Sequence, residues 1–469
     1  MAEQQQTVAA SAIAARLERL PMSRYVWLLV FLAGGAWFVE SLDVGASGVV
    51  LPVLKTLWHL SPSQIGFLAV ASTAGVVVGL PPAGFIGDRI GRVRLLTIGI
   101  VIYSALTLLA SLSTGYGMLL VLRFLAGLGM GAVFPLPYSI VSEWVQKNRR
   151  TWLSGFLDAC LSVGYFIAPL LGLLIVPHLP AAWGWRVFLV AAGLPLIYAF
   201  LVRRLMPESP RWLASKGRVA EAEASVARAE EASGVTHPKI VMAQRPRETE
   251  ESPVRVPWTR LIAPTAVSTV AATGTFFMFY VVMTYTPTIF SGIGIPYAKS
   301  LGFAALITAV AIPGKLLNGY LSERWGRKRT YGVFMGVAAV AAAFFATGPA
   351  LAGLVAALLG MSFFGTGAFP GLKMYYAEQY PTGVRVRGAA SVEAIGRTLG
   401  GIVGAAYMPI LWHSAGLGFS FGLIALVSAV AVVVMLAFGQ ETRGLSLEAI
   451  EARYLKGSRR RMMESRPAD

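Results

Sequence analysis

"GFIGDRIGRVR" runs from Gly84 to Arg94, and "GYLSERWGRKR" from Gly319 to Arg329. Each follows a long apolar run and repeats the order acid, arginine, apolar residue, glycine, arginine. Asp88 and Glu323 stand 235 positions apart, as do Arg92 and Arg327. The same offset carries Pro135 to Pro370, Glu143 to Glu378, Arg150 to Arg385 and Asp158 to Glu393. One register therefore links three separated charged sites, which chance does not readily supply. The chain is written twice.

Hydrophobic residues make up 56% of the 469 and charged residues only 13%, a balance foreign to soluble domains. Apolar runs of about the length a helix needs to cross a bilayer recur along the chain. They fall at 26–53, 64–86, 95–113, 118–142, 153–176, 186–205, 261–290, 301–321, 331–347, 351–376, 391–412 and 416–438. The expectation is an all-α integral membrane protein of about twelve transmembrane helices in two six-helix pseudo-symmetric halves. The halves cover 25–205 and 261–438, a central linker 206–260, and tails 1–24 and 439–469. Such duplication is a hallmark of secondary transporters.

The net charge of +17 is not a nucleic-acid footprint, because Lys and Arg crowd alternate connections. Arg89, Arg92 and Arg94 mark one of these, and Arg324, Arg327, Lys328 and Arg329 another. The remaining connections hold little beyond Lys55, Arg186 and Lys299. This positive-inside bias places both tails in the cytoplasm of a membrane-embedded chain, and abundant Ala, Gly and Arg suggest a bacterial inner membrane. The polar 1–24 stretch does not read as a cleavable signal, since the apolar run after it is long enough to span. No metal or cofactor is expected. A phosphate-cradling loop is missing, the histidines lack ligand spacing, and the single Cys160 excludes an intramolecular disulfide.

The duplicated phrase closes the second and eighth runs. Gly84 and Gly319 there permit close helix approach, and Asp88 can sit at a neighbouring helix N-terminus, where negative charge is favoured. Together with Arg92, Glu143, Arg150, Glu323, Arg327, Glu378 and Arg385, it can build ion-pair clusters that act as gates. Asp158 and Glu393 share the register and are assigned the same role. "GFIGDRIGRVR" resembles the loop signature of the major facilitator superfamily. "SEWVQKNRR" (142–150) and "AEQYPTGVRVRG" (377–388) resemble its paired acid–arginine signatures. "PESPRWLASKGR" (207–218) and "ETRGLSLEAI" (441–450) are similar to the sugar-porter and organic-ion branches. The likeness covers essentially the full chain and implies a transporter rather than an enzyme. It says little of substrate, because these motifs belong to the frame.

A charge inside a span costs about 2.5–3.5 kcal/mol on insertion scales and is a functional suspect by default. Glu40 and Asp43 share one face of the first span. Two close carboxylates in low dielectric resist joint ionisation, so the site can carry a proton. "VESLDVGASGVVLP" (39–52) resembles the DGxD signature of aromatic-acid and metabolite–proton symporters, with Glu40 replacing the first Asp and Ser41 the Gly. Arg123, opening "RFLAGLGMGAVFP" (123–135), resembles the span-four arginine of proton-coupled members.

Lys315 and Arg397 are the candidate anion binders. Arginine offers a planar fork that matches a carboxylate, and lysine a point charge. Both segments resemble the organic-anion branch of the organic-ion transporters, which has a Lys and an Arg at these places. Glu393, four residues before Arg397, is a competing partner on one helix face. Phe276, Phe277, Tyr280 and Tyr285 in "TFFMFYVVMTYTPTIF" (275–290) supply an aromatic wall suited to a ring-bearing ligand.

The resulting expectation is proton-coupled uptake of a small organic anion, a monocarboxylate with aromatic acids among the candidates, by alternating access in a monomer. An organic-cation or drug transporter is the alternative. A sugar porter would carry an amide-rich seventh span, which is absent, and a transport-inactive sensor would carry a long signalling tail.

Overall fold

A computed structural model describes residues 12–146, 149–235, 261–380 and 385–443, except for the side chains of 150–152, 385 and 386. Lipid offers no hydrogen bonds to backbone, so a spanning chain must satisfy its own. The described residues do so as helices, without strands. The first six span-length helices are α1 (Arg24–Leu57), α2 (Pro62–Ile90), α3 (Arg92–Ala110), α4 (Tyr116–Trp144), α5 (Leu153–His178) and α6 (Ala181–Leu205). Two short ones follow, α7 (Pro210–Ser215) and α8 (Val219–Ala232). Then come α9 (Ile262–Gly292), α10 (Tyr297–Trp325), α11 (Arg327–Ala346), α12 (Leu351–Glu378) and α13 (Arg387–Phe438).

The last helix has 52 residues, or about 78 Å at 1.5 Å per residue, against a hydrocarbon core of about 30 Å. Gly416, at φ 84°, bends it into two crossings. Among the described residues, eleven span-length helices thus give the twelve crossings the apolar runs predict. Phe85, Ile197, Val340 and Phe438 are all well exposed, whereas Asp43, Arg123, Asp158 and Lys315 are buried. That inversion of the soluble pattern belongs to a multi-pass membrane protein.

Contacts divide the chain into two compact units, Met1–Gln244 with Met283–Ala309, and Arg245–Val282 with Val310–Asp469. The end of α9 belongs to the first unit because Gly48 of α1 admits it. A Cβ on Gly48 would lie 2.7 Å from the Thr284 carbonyl. Tyr297, opening α10, donates to the Val49 carbonyl at 2.6 Å. On the same unit, α8 buries Ala222, Val226 and Ala229. Its Glu230 accepts from Arg16 at 2.9 Å, so this helix is tied to the N-terminal residues.

Glycines set the helix crossings, in the same register in both units. A Cβ on Gly79 of α2 would meet the Leu128 carbonyl of α4 at 2.5 Å, and one on Gly314 of α10 the Phe363 carbonyl of α12 at 2.1 Å. Both residues of the second pair lie 235 positions after the first. Gly84 and Gly319, expected to serve this purpose, do not: a Cβ on either would meet nothing within 4 Å. They follow the crossing glycines by five residues, which turns them about 140° away on a helix of 3.6 residues per turn.

Candidate functional site

In the first unit the α2–α4 crossing brings Arg123 to α1. Its Nη1 donates to Asp43 Oδ1 at 2.9 Å, and its Nη2 to the Asp43 carbonyl at 2.9 Å. Thr107 of α3 donates to the same Oδ1 at 3.0 Å. Ser47, one turn on, accepts from Nη2 at 3.4 Å. Both charges are buried, and Asp43 Oδ2 is buried without a hydrogen-bond partner among the described residues. Glu40 is buried one turn earlier on α1. Of the two carboxylates, Asp43 is the one paired with Arg123. Asp158, also buried, accepts from the Tyr138 hydroxyl at 2.9 Å.

The second unit places Arg397 at the start of a π-helical stretch, Arg397–Gly404, a distortion that recurs at functional sites. The glycines of this stretch press it onto α9. A Cβ on Gly400 would lie 2.2 Å from the Thr273 carbonyl, and one on Gly401 2.6 Å from the Tyr280 ring. Held this close, the guanidinium stands 5.0 Å over the Phe276 ring and donates to the Tyr280 hydroxyl at 3.3 Å. It also donates to Glu393 Oε1 at 3.0 Å, while Glu393 Oε2 accepts from Tyr376 at 3.1 Å. Lys315 is buried, its Nζ 5.9 Å from the Phe279 ring centre and 6.0 Å from that of Phe369.

Phe369 joins the two cations through rings. It meets Phe276 edge-on at 4.9 Å and Phe279 at 5.2 Å. Residues 276, 279 and 280 share a helical face, and α12 delivers Phe369 where a π-helical turn (Met361–Gly365) passes through a 3-10 turn (Thr366–Ala368). Two of the expected aromatics are not brought to this cluster. Phe277 turns off the face and fills the space left by Gly404, and Tyr285 lies in the part of α9 that belongs to the first unit. Phe279, Phe369 and Tyr376 complete the group without having been expected. Among the described residues no three His, Cys, Asp or Glu side chains gather as a metal site would require.

The duplicated charges form matching pairs. Arg92 contacts Glu143 at 3.3 Å and Arg327 contacts Glu378 at 3.1 Å. Each arginine also donates to the carbonyl five residues before it, Gly87 at 2.9 Å and Ser322 at 3.0 Å. Asp88 and Glu323 are both exposed, and Asp88 adds a 2.7 Å bond to Arg92. The side chains of Arg150 and Arg385 lie outside the described residues.

A profile of the Major Facilitator Superfamily matches residues 26–405. The chain belongs to this superfamily. It is therefore a transporter and not an enzyme. It is 28% identical over 442 residues to the niacin transporter of Acinetobacter baylyi, covering 93% of this chain and 99% of that protein. With the 4-hydroxybenzoate transporter of the same organism it shares 27% identity, over 88% and 92% of the two chains. The inward-open xylose transporter of E. coli superposes with a TM-score of 0.73 at 18% identity, covering 91% of this chain and 99% of that one.

Within this superfamily fold, two acids of the flanking motifs hold the loop signature in place. Asp88 was expected at a helix N-terminus, but Glu208 takes that position instead. Its carboxylate accepts from the backbone of Arg92 at 2.9 Å and of Val93 at 3.1 Å. Glu441 does the same for Arg327 at 2.9 Å and Lys328 at 3.2 Å. Gly91 (φ 107°) and Gly326 (φ 97°) make the approach possible, since a Cβ on either would strike the carboxylate. Removing either acid, as Glu208→Ala or Glu441→Ala, should destabilise the fold by about 1 kcal/mol, the worth of a charged cap. Thermal unfolding of the detergent-purified variants checks this; an unchanged midpoint in both would remove the capping role.

Proposed function

We propose that the chain is a proton-coupled symporter that takes up a small aromatic monocarboxylate by alternating access, working as a monomer. The observation that carries this reading is the buried Arg397 guanidinium stacked on Phe276 beside the Tyr280 hydroxyl. The fork suits a carboxylate, the rings suit a flat body, and Lys315 adds positive charge. Glu393 holds the fork in the absence of substrate and keeps Tyr376 when the substrate carboxylate takes its place. The names of the relatives point the same way, because niacin and 4-hydroxybenzoate each join one carboxylate to one aromatic ring. Asp43, held by Arg123 through one oxygen, is the proposed proton carrier, with Glu40 as its neighbour. The Arg92–Glu143 and Arg327–Glu378 pairs are the proposed gates, and Asp158 and Glu393 the register-related acids behind them. Basic residues concentrated in alternate connections favour both tails in the cytoplasm, and abundant Ala, Gly and Arg favour a bacterial inner membrane.

Proton movement in weakly buffered proteoliposomes tests this reading. Nicotinate or 4-hydroxybenzoate should alkalinise the outside once passive acid leak in empty liposomes is subtracted. Nicotinamide, which keeps the ring and lacks the charge, should not. A response confined to organic cations would transfer the binding role to the buried acids.

A further inference from the structure

The second unit carries a cavity that shares no lining residue with the Arg397 cluster. It measures about 640 Å³ and is lined by Arg324, Trp325, Arg329, Val333, Leu436 and Arg443, among others. An adjoining space of about 500 Å³ shares Trp325, Arg329, Leu436 and Arg443 and adds Lys328 and Glu441. These volumes match those of small-molecule sites. Four cations thus face one carboxylate, and that carboxylate is already engaged by the backbone of Arg327 and Lys328. Among the described residues Arg324, Arg329 and Arg443 form no ion pair.

Guanidinium groups whose one neighbouring carboxylate is already engaged by backbone suit phosphate, whose oxygens accept their forked donors. The remaining walls are apolar and open toward lipid. Val333 and Leu436 are 47% and 45% exposed, and the same helices continue into Val340 and Val433 at 70% and 62%. Trp325, 49% exposed at the end of α10, has the character of an interfacial anchor. A soluble phosphate would satisfy the arginines and leave the apolar wall uncovered. A ligand with a phosphate head and acyl chains covers both, and basic pockets at the ends of membrane helices take such headgroups. We infer that this cavity binds the headgroup of an anionic phospholipid, with its chains along α11 and the end of α13.

Native mass spectrometry of the detergent-purified full chain tests the site, with cardiolipin, phosphatidylcholine and inorganic phosphate titrated separately. Cardiolipin should be retained and phosphatidylcholine lost. The double variant R329Q/R443Q should weaken cardiolipin about twenty-five-fold, from roughly fivefold per cation near a charged headgroup. R329K/R443K, which keeps the charge, should retain most of the binding. As a control, R203Q/R204Q removes two exposed cations that do not line the cavity and should leave binding unchanged. Equal loss in the control would replace the site with diffuse surface charge. Unaltered binding in R329Q/R443Q, equal retention of phosphatidylcholine, or phosphate alone displacing the lipid would each overturn the proposal.

Discussion

Arg397→Ala should lower the apparent affinity for an aromatic carboxylate at least about thirtyfold, while the protein still inserts and folds. Truncating one partner of a buried charged hydrogen bond costs about 2–5 kcal/mol, and each 1.4 kcal/mol is tenfold. The alternative is that Arg397 serves only its 3.0 Å bond to Glu393, and one further variant separates the two roles. If substrate and Glu393 compete for the same fork, Glu393→Gln should strengthen binding about fivefold, as expected from roughly 1 kcal/mol for a partly exposed pair. If the pair is purely a gate, Glu393→Gln should slow transport without strengthening binding. Arg397→Lys should restore part of the affinity, because charge returns but the fork and the stacking on Phe276 do not. Equilibrium binding of nicotinate, read beside uptake, distinguishes all three. Unchanged affinity in Arg397→Ala would end the assignment.

The crossings, the duplication and the rarity of buried charge were legible because each leaves a strong linear signal. Arg397, Lys315, Asp43 and Arg123 stand out in apolar runs, and the register of Arg92 with Arg327 survives in space, down to the carbonyls they hold. Phase within a helix was harder to read. "FFMFY" places four aromatics in five positions, and only the 3.6-residue turn separates Phe276, Phe279 and Tyr280 from Phe277. Phe369 had no such signal, being an apolar residue delivered by a distortion of α12 rather than by regular periodicity. Glu208 and Glu441 were hidden for another reason. They stand 233 positions apart, two short of the common register, although the bonds they make are equivalent. Which acid Arg123 would choose also depended on packing, because the glycine crossing of α2 and α4 sets how far its guanidinium reaches.

That choice leads to the second large effect. Asp43→Asn should abolish proton-driven accumulation while leaving substrate exchange in place. Asp43 Oδ1 already accepts from Arg123 and Thr107, whereas Oδ2 is buried with no hydrogen-bond partner among the described residues. A proton on Oδ2 would therefore disturb no existing bond, yet it would cancel the charge that holds Arg123 to α1. Asparagine imitates that protonated state and keeps an acceptor for the guanidinium. It should spare the fold better than Asp43→Ala, which would strand a buried cation at a cost of about 3–5 kcal/mol. For one proton per monocarboxylate, a gradient of about one pH unit supports about tenfold accumulation, equivalent to about 1.4 kcal/mol. In Asp43→Asn that ratio should fall to about one under the same gradient, while counterflow of labelled for unlabelled substrate continues. Glu40→Gln, measured alongside, assigns the proton between the two acids: intact accumulation there leaves Asp43 as the carrier. Full accumulation in Asp43→Asn with loss in Glu40→Gln would move the carrier one turn along α1 and leave the Arg123 pair as the brace between α1 and α4.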